Sequence, residues 1–305
     1  MERTSKSSLK SSMKKSIKIS EKEMLDALNR SGYLLEAEIS RILAEAGFFI
    51  ETNQVIDDPI TGKSREIDLI AEYFNYDEAL SSFNVAANVY YVFEIKNNLF
   101  PVILLTQFEF TPRIEDWTGL KEALTVPEGL IYEDWHEGFY EYLIRSKKPP
   151  IYTQYCSFQK KKENDKLMAL HPDNIHSGLA KITQYCEEMV KMYDTDLIYE
   201  NPNKDKYFRH FLFLPILLIN DDLYELKKDG LERVDSSILV YNYHYDKDPK
   251  MAYIFVVTKK GFPIFMKSMM ELEDKVERRM IEIVKAKGPQ TDVKEKRGRR
   301  NRKHA

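Results

Sequence analysis

The segments Arg65-Glu66-Ile67-Asp68-Leu69-Ile70-Ala71-Glu72-Tyr73 and Tyr91-Val92-Phe93-Glu94-Ile95-Lys96 decide how this chain is read. Both are rich in β-branched and aromatic residues and read as strands. In the first, period-two alternation sets Ile67, Leu69 and Ala71 on one face and Asp68, Ile70 and Glu72 on the other. Asp68 is then a carboxylate among apolar neighbours in mid-strand, a placement that demands a cation, a set of hydrogen bonds or a salt bridge. In the second, Glu94 and Lys96 are two residues apart and share a face, while Phe93 and Ile95 take the other. If the strands are hairpin neighbours, Asp68, Glu94 and Lys96 converge on one point. Two carboxylates and the Ile95 carbonyl make a hard-oxygen set suited to Mg2+ or Mn2+. Such an ion lowers the pKa of a bound water and neutralises charge on a phosphate, with Lys96 beside it to stabilise the transition state.

Upstream, Ser20 and Glu23 have the spacing of a capping box, and Asn29-Arg30-Ser31-Gly32 breaks the helix they open. A second helix is predicted from Tyr33 to Ala46, with Leu35, Ile39, Ile42, Leu43 and Ala46 on one stripe and Gly47 as its stop. Glu36 borders that stripe and is chosen to complete the site. Glu38, grouped with Arg41 and Glu45, falls on the solvated side. Phe48–Val55 reads as a strand, 58–63 as a turn-rich loop, and Val89–Lys96 as the third strand.

Residues 97–170 are rich in aromatics, acids and prolines, and read as an insertion of short helices and loops. Pro172-Asp173 opens a helix to about Tyr193. Strands follow at Phe208–Ile219, Ile238–Tyr245 and Ala252–Thr258, with Leu223–Leu226 extending a hairpin, and a final helix runs from Phe262 to Lys287. The expected class is α/β: a helix, three antiparallel strands, a crossover helix and a parallel strand around a mixed sheet. The predicted organisation is a basic disordered tail at 1–19, a domain at 20–287 and a second basic disordered tail at 288–305. The domain has its core at 31–98 and 171–260, the insertion at 97–170 and the C-terminal helix at 262–287.

The 305 residues carry a net charge of −3, but unevenly. Residues 1–18 hold +5 and residues 285–305 hold +7, leaving −15 for the body between them. Such tails can grip phosphate backbones or simply keep the chain soluble. An acidic body suits a site that gathers carboxylates around a cation better than a broad DNA-binding face. Two cysteines make no disulfide framework and suit a reducing compartment. No apolar h-region or run long enough to span a bilayer is visible, so the expectation is a cytoplasmic chain without a membrane partner.

Taken singly, an Asp in a strand, a Glu-x-Lys pair and a helix Glu are most simply edge features, a surface salt bridge and a solvated side chain. Their order on a helix followed by three strands argues otherwise. Glu36 on a helix ending in Ala46-Gly47-Phe48, then Ser64-Arg65-Glu66-Ile67-Asp68, then Phe93-Glu94-Ile95-Lys96, resembles the catalytic core of the PD-(D/E)xK nucleases. The nearest flavour is the Mrr-like and Holliday-junction-resolvase-like branch. The resemblance covers residues 31–98 and loosens beyond them. It implies a restriction endonuclease-like αβββαβ core, Mg2+-dependent phosphodiester hydrolysis and frequent homodimerisation. It carries Asp68 and Glu94 over as metal ligands, Lys96 as the catalytic lysine and Glu36 as the helix carboxylate.

The chain departs from the pattern where relatives carry Gln and Tyr four residues apart on the crossover helix. Here Lys181 and Tyr185 have that spacing, Gln184 is displaced, and the motif is not assigned. The expected substrate is DNA. RNA is a second candidate, since nothing distinguishes ribose from deoxyribose. The rival reading is a non-catalytic nucleic-acid-binding or interaction module on the same fold. Other candidates carry less. Cys156, His171, His176 and Cys186 lack zinc-ligand spacing, Asp57-Asp58 precedes Pro59 as turn chemistry, and Thr61-Gly62-Lys63 lacks the upstream glycine of a P-loop. The aromatics of 117–142 with basic 145–148 could stack on unpaired bases, but a packed subdomain explains them as well.

Overall fold

The computed structural model describes residues 18–57, 63–73, 84–108, 119–127, 137–161, 165–199 and 207–287. The sequence expectations for both basic tails, the 58–62 loop, Trp117 and Trp135 concern residues outside these, apart from Lys18, Ile19 and the helix end near 285–287.

Helix α1 (Glu21–Ser31) opens at Ser20, whose hydroxyl accepts the Glu23 N–H while the Glu23 carboxylate accepts the Ser20 N–H. Two donors that a helix start leaves free are thereby satisfied. Gly32, at φ +94°, ends α1 and turns the chain into α2 (Tyr33–Glu45), where Leu35, Ile39 and Leu43 are buried. Gly47, at φ +90°, follows it into β1 (Phe48–Asp57). Next come β2 (Ser64–Tyr73) and β3 (Val85–Lys96).

Among the described residues of 97–170, strands predominate. These residues form β4 (Val102–Leu104), β5 (Gln107–Phe108), β6 (Lys121–Thr125), a π-helical turn at Glu141–Arg145, β7 (Ile151–Tyr152), β8 (Tyr155–Lys160) and β9 (Leu167–Leu170). Where the sequence reading expected short helices and loops, the described residues hold mostly short strands, and the rest of that expectation lies outside the described residues. Helix α3 (Asp173–Tyr199) then leads to β10 (Phe208–Ile219), β11 (Leu223–Lys227), β12 (Gly230–Val234), β13 (Ser236–Tyr245), β14 (Asp248–Thr258) and α4 (Phe262–Lys287).

The principal sheet runs β1-β2-β3-β10-β14-β13-β7-β5, with β6 also paired to β10. β1, β2 and β3 are successively antiparallel; β10 lies parallel to both β3 and β14. The chain is therefore α/β with a mixed central sheet. Strand β10 is apolar along nearly its whole length because helices cover both faces. Leu212, Leu214, Ile216 and Leu218 join α2 and α4 in one core, while Phe213, Leu217 and Ile219 join Ile175, Leu179, Ile182 and Cys186 of α3 in the other. Pro215 has no N–H to give, and it falls where β6 has ended and β14 has not begun.

Leu223–Leu226 does not extend a hairpin of this sheet. As β11 it enters a second sheet, β12-β11-β4-β8-β9, where it pairs in parallel with β4. That partner lies more than a hundred residues upstream, and no local pattern announces it. Among the described residues, no helix is long and apolar enough to cross a membrane.

Candidate active site

β2 and β3 pair from Glu72↔Tyr90 to Leu69↔Phe93, and there the ladder stops. The next rung would set Asp68 opposite Glu94. Instead the Ile95 N–H donates to Asp68 Oδ2 at 2.8 Å, so the aspartate takes a backbone donor at the point where the ladder has ended. The expected alternation holds for Leu69, Ala71 and Ile70, but Ile67 departs from it and packs with Ile70 on the α3 side. Phe93 and Ile95 point into the α2–α4 core as read from the sequence.

Glu94 is only 2% exposed and forms ion pairs with two lysines. Lys96 meets its Oε1, and Lys181 of α3 lies 2.5 Å from its Oε2. The same Lys181 Nζ donates to Asp68 Oδ1 at 2.9 Å. Burial works to lower the Lys181 pKa, but the carboxylates of Glu94 and Asp68 outweigh it and hold the ammonium above its ordinary value. Asp68, Glu94 and Lys96 are thus brought together as the sequence reading required, with a fourth member supplied by the crossover helix.

Gly178 makes that approach feasible. It lies one helical turn before Lys181, and a Cβ built on it would overlap the Glu94 carboxylate. Sequence reasoning missed both residues. A glycine inside a helix was a usable sign of close packing, and Lys181 was noticed only for its spacing to Tyr185.

Glu36 is half-buried at the edge of this cluster. Burial, followed by the charge of Asp68, raises its pKa, while Lys96 and Lys181 pull the other way. Among the described residues, no three His, Cys, Asp or Glu side chains are grouped to hold a metal ion; Glu36 stands within electrostatic reach of Asp68 and Glu94. Glu38, expected on the solvated side, is bonded to Lys259 at 2.7 Å.

The donor chemistry fits a hard cation. Asp68 Oδ1 and Glu94 Oε2 converge on one point, and a cation, the Lys181 ammonium, already fills it. The carboxyl ends of the parallel strands open beside it. Asn220 donates its backbone N–H to Asn98 Oδ1 at 2.9 Å and its side-chain amide to Asn97 Oδ1 at 3.0 Å, tying the end of β10 to the residues that follow Lys96. In open α/β sheets this edge is where ligands bind.

No protein-family model, curated protein or solved structure matches this chain. The likeness to the PD-(D/E)xK nucleases therefore rests on the sequence motifs of residues 31–98.

The remaining candidates lie elsewhere. Cys186 is buried in the α3 core, and burial pushes its thiol up. His171 packs on Tyr155 and His176, and His176 on Tyr241. Phe139 and Tyr140 are buried in the α2–α4 core, so their rings are not free to stack on bases.

Proposed function

We propose that this protein is a metal-dependent nuclease that hydrolyses DNA phosphodiester bonds, on a core of the restriction endonuclease-like type. The observation that carries the reading is the convergence of Asp68 and Glu94, from adjacent strands, with Lys96 beside Glu94. Mg2+ or Mn2+, when bound, supplies Lewis-acid polarisation of the phosphate and an acidified water. Asp68 and Glu94 would hold the ion, with the Ile95 carbonyl as the further oxygen. Lys96, on the more exposed side of Glu94, would offset negative charge that develops on the phosphate oxygens. Glu36, its proton affinity raised, would border the water.

Plasmid DNA incubated with Mg2+ or Mn2+ tests this directly. Wild type should nick or linearise it, while Asp68→Ala and Lys96→Ala should each lose about 10²-fold or more. Equal residual cleavage in all three removes the assignment. A labelled RNA in parallel reads the choice of sugar.

One observation favours a second reading. The two carboxylates are already neutralised by two lysines, as a purely structural ion cluster would be. Under that reading the protein binds nucleic acid without cleaving it. Metal-independent binding that survives Asp68→Ala would favour it.

A further inference from the structure

The Lys181 ammonium occupies the place a divalent ion would need. It lies 2.9 Å from Asp68 Oδ1 and 2.5 Å from Glu94 Oε2. An oxygen-bound Mg2+ or Mn2+ needs contacts of about 2.0–2.6 Å to the same two oxygens. The two positions overlap, and two cations cannot share them. The cluster as it stands also has no net charge: Asp68 and Glu94 are matched by Lys96 and Lys181. That balance lets Glu94 stay almost wholly buried without a metal, since a buried carboxylate needs a paired cation.

We propose that Lys181 is a displaceable counter-cation, which holds the seat between Asp68 and Glu94 until a divalent ion takes it. This rests on the reading of Asp68 and Glu94 as cation ligands. Metal binding is then an exchange of one cation for another. It requires the four-carbon stem of Lys181 to swing out, and the side chain, 12% exposed, already reaches the protein surface. Glu36 lies within its electrostatic reach and offers an acidic neighbour on leaving. The exchange sets metal affinity below what two carboxylates alone would give, and makes Lys181 the residue that tunes it.

Calorimetric titration of Mn2+ into the full chain tests the exchange without reference to cleavage. Lys181→Met and Lys181→Gln should bind Mn2+ about tenfold tighter than wild type or more, roughly 1.4 kcal/mol, and Asp68→Asn should abolish binding. If the Lys181 variants bind equally or more weakly while Asp68→Asn still abolishes binding, the exchange is wrong and the ligand reading stands. If no variant binds, or if Asp68→Asn binds like wild type, both fall. Amine labelling of wild-type protein, read by peptide mass spectrometry, covers the case in which the variants fail to fold. Saturating Mg2+ should raise Lys181 labelling several-fold relative to the buried Lys121. Labelling unchanged by bound metal overturns the proposal.

Discussion

Gly178 lies so close to Glu94 that any side chain placed on it would overlap the carboxylate. Gly178→Ala therefore sets two effects against each other. Alanine favours a helix over glycine by up to about 1 kcal/mol, whereas forcing a group into a packed contact costs about 1–3 kcal/mol. The neighbour is the buried Glu94, held by two lysines, so the overlap should prevail. We expect a lower thermal midpoint. On the proposed nuclease reading, metal-dependent cleavage should fall by about 10²-fold, the scale of a 1 Å misplacement in a catalytic cluster. A variant with wild-type cleavage would show that Glu94 can move without consequence.

Asp68 has two duties that substitution can separate. Its Oδ1 meets Lys181 and its Oδ2 accepts the Ile95 N–H. Asp68→Asn keeps an oxygen for Ile95, whereas Asp68→Ala leaves that donor without one. Urea unfolding should rank the alanine variant below the asparagine variant by about 1–3 kcal/mol, the cost of a stranded donor. On the proposed nuclease reading, cleavage should be lost in both. Equal stabilities would mean that water or a shifted strand replaces the Ile95 bond.

Glu273 predicts a pH dependence of stability. This carboxyl, on α4, is buried and accepts the Val89 N–H at 2.9 Å, one residue before the Glu72↔Tyr90 rung of the β2–β3 ladder. Burial drives its pKa well above the ordinary carboxylate value of 4.5, with the Val89 bond opposing. The fold thus holds a proton that the unfolded chain releases above pH 4.5, and stability falls as pH rises from there toward the folded-state pKa. Glu273→Gln keeps an acceptor for Val89 and has no proton to lose. Its thermal midpoint should match wild type at pH 4 and exceed it at pH 8. Parallel curves across that range would show that Glu273 does not titrate with folding.

Lys121 of β6 and Glu187 of α3 form a second buried pair. Their charged groups are 2.6 Å apart, Lys121 also donates to the Met251 carbonyl at 2.8 Å, and the Tyr243 hydroxyl donates to Glu187 at 2.5 Å. Burial, then the partly opposing bond to Glu187, leaves the Lys121 pKa lowered; at Glu187 the partners overcome burial and lower it too. Lys121→Met should cost about 3–5 kcal/mol, because it strands a buried carboxylate. The double variant with Glu187→Leu should recover most of that loss in chemical denaturation. An additive double variant would mean that the two residues act independently.

The elements with long, regular patterns were legible in the chain itself. Of the expected α2 stripe, Leu35, Ile39 and Leu43 are buried, Ile42 is half-buried and Ala46 is exposed at the helix end. The capping box at Ser20, the β10 strand at Phe208–Ile219 and the final helix at Phe262–Lys287 fall where periodicity and caps put them. So does the face shared by Glu94 and Lys96, because alternation along a strand is a local property of the backbone. The short strands of 97–170 were not legible. β4, β5 and β7 are too brief to display a period, and β4 and β7 find partners in β11 and β13, far along the chain.

By itself, then, the order of residues determined that Glu94 and Lys96 leave β3 on a common side, since that follows from covalent geometry. In β2 the alternation held from Leu69 to Ala71 and failed at Ile67. Only the tertiary structure decided what neutralises them. The crossover helix returns across the sheet and sets Gly178 against Glu94 and the Lys181 ammonium between two carboxylates. The Lys181–Asp68 contact joins residues 113 apart in sequence, and packing alone selects it. The physical reason is that a buried charge must find its counter-charge in space, wherever along the chain it lies.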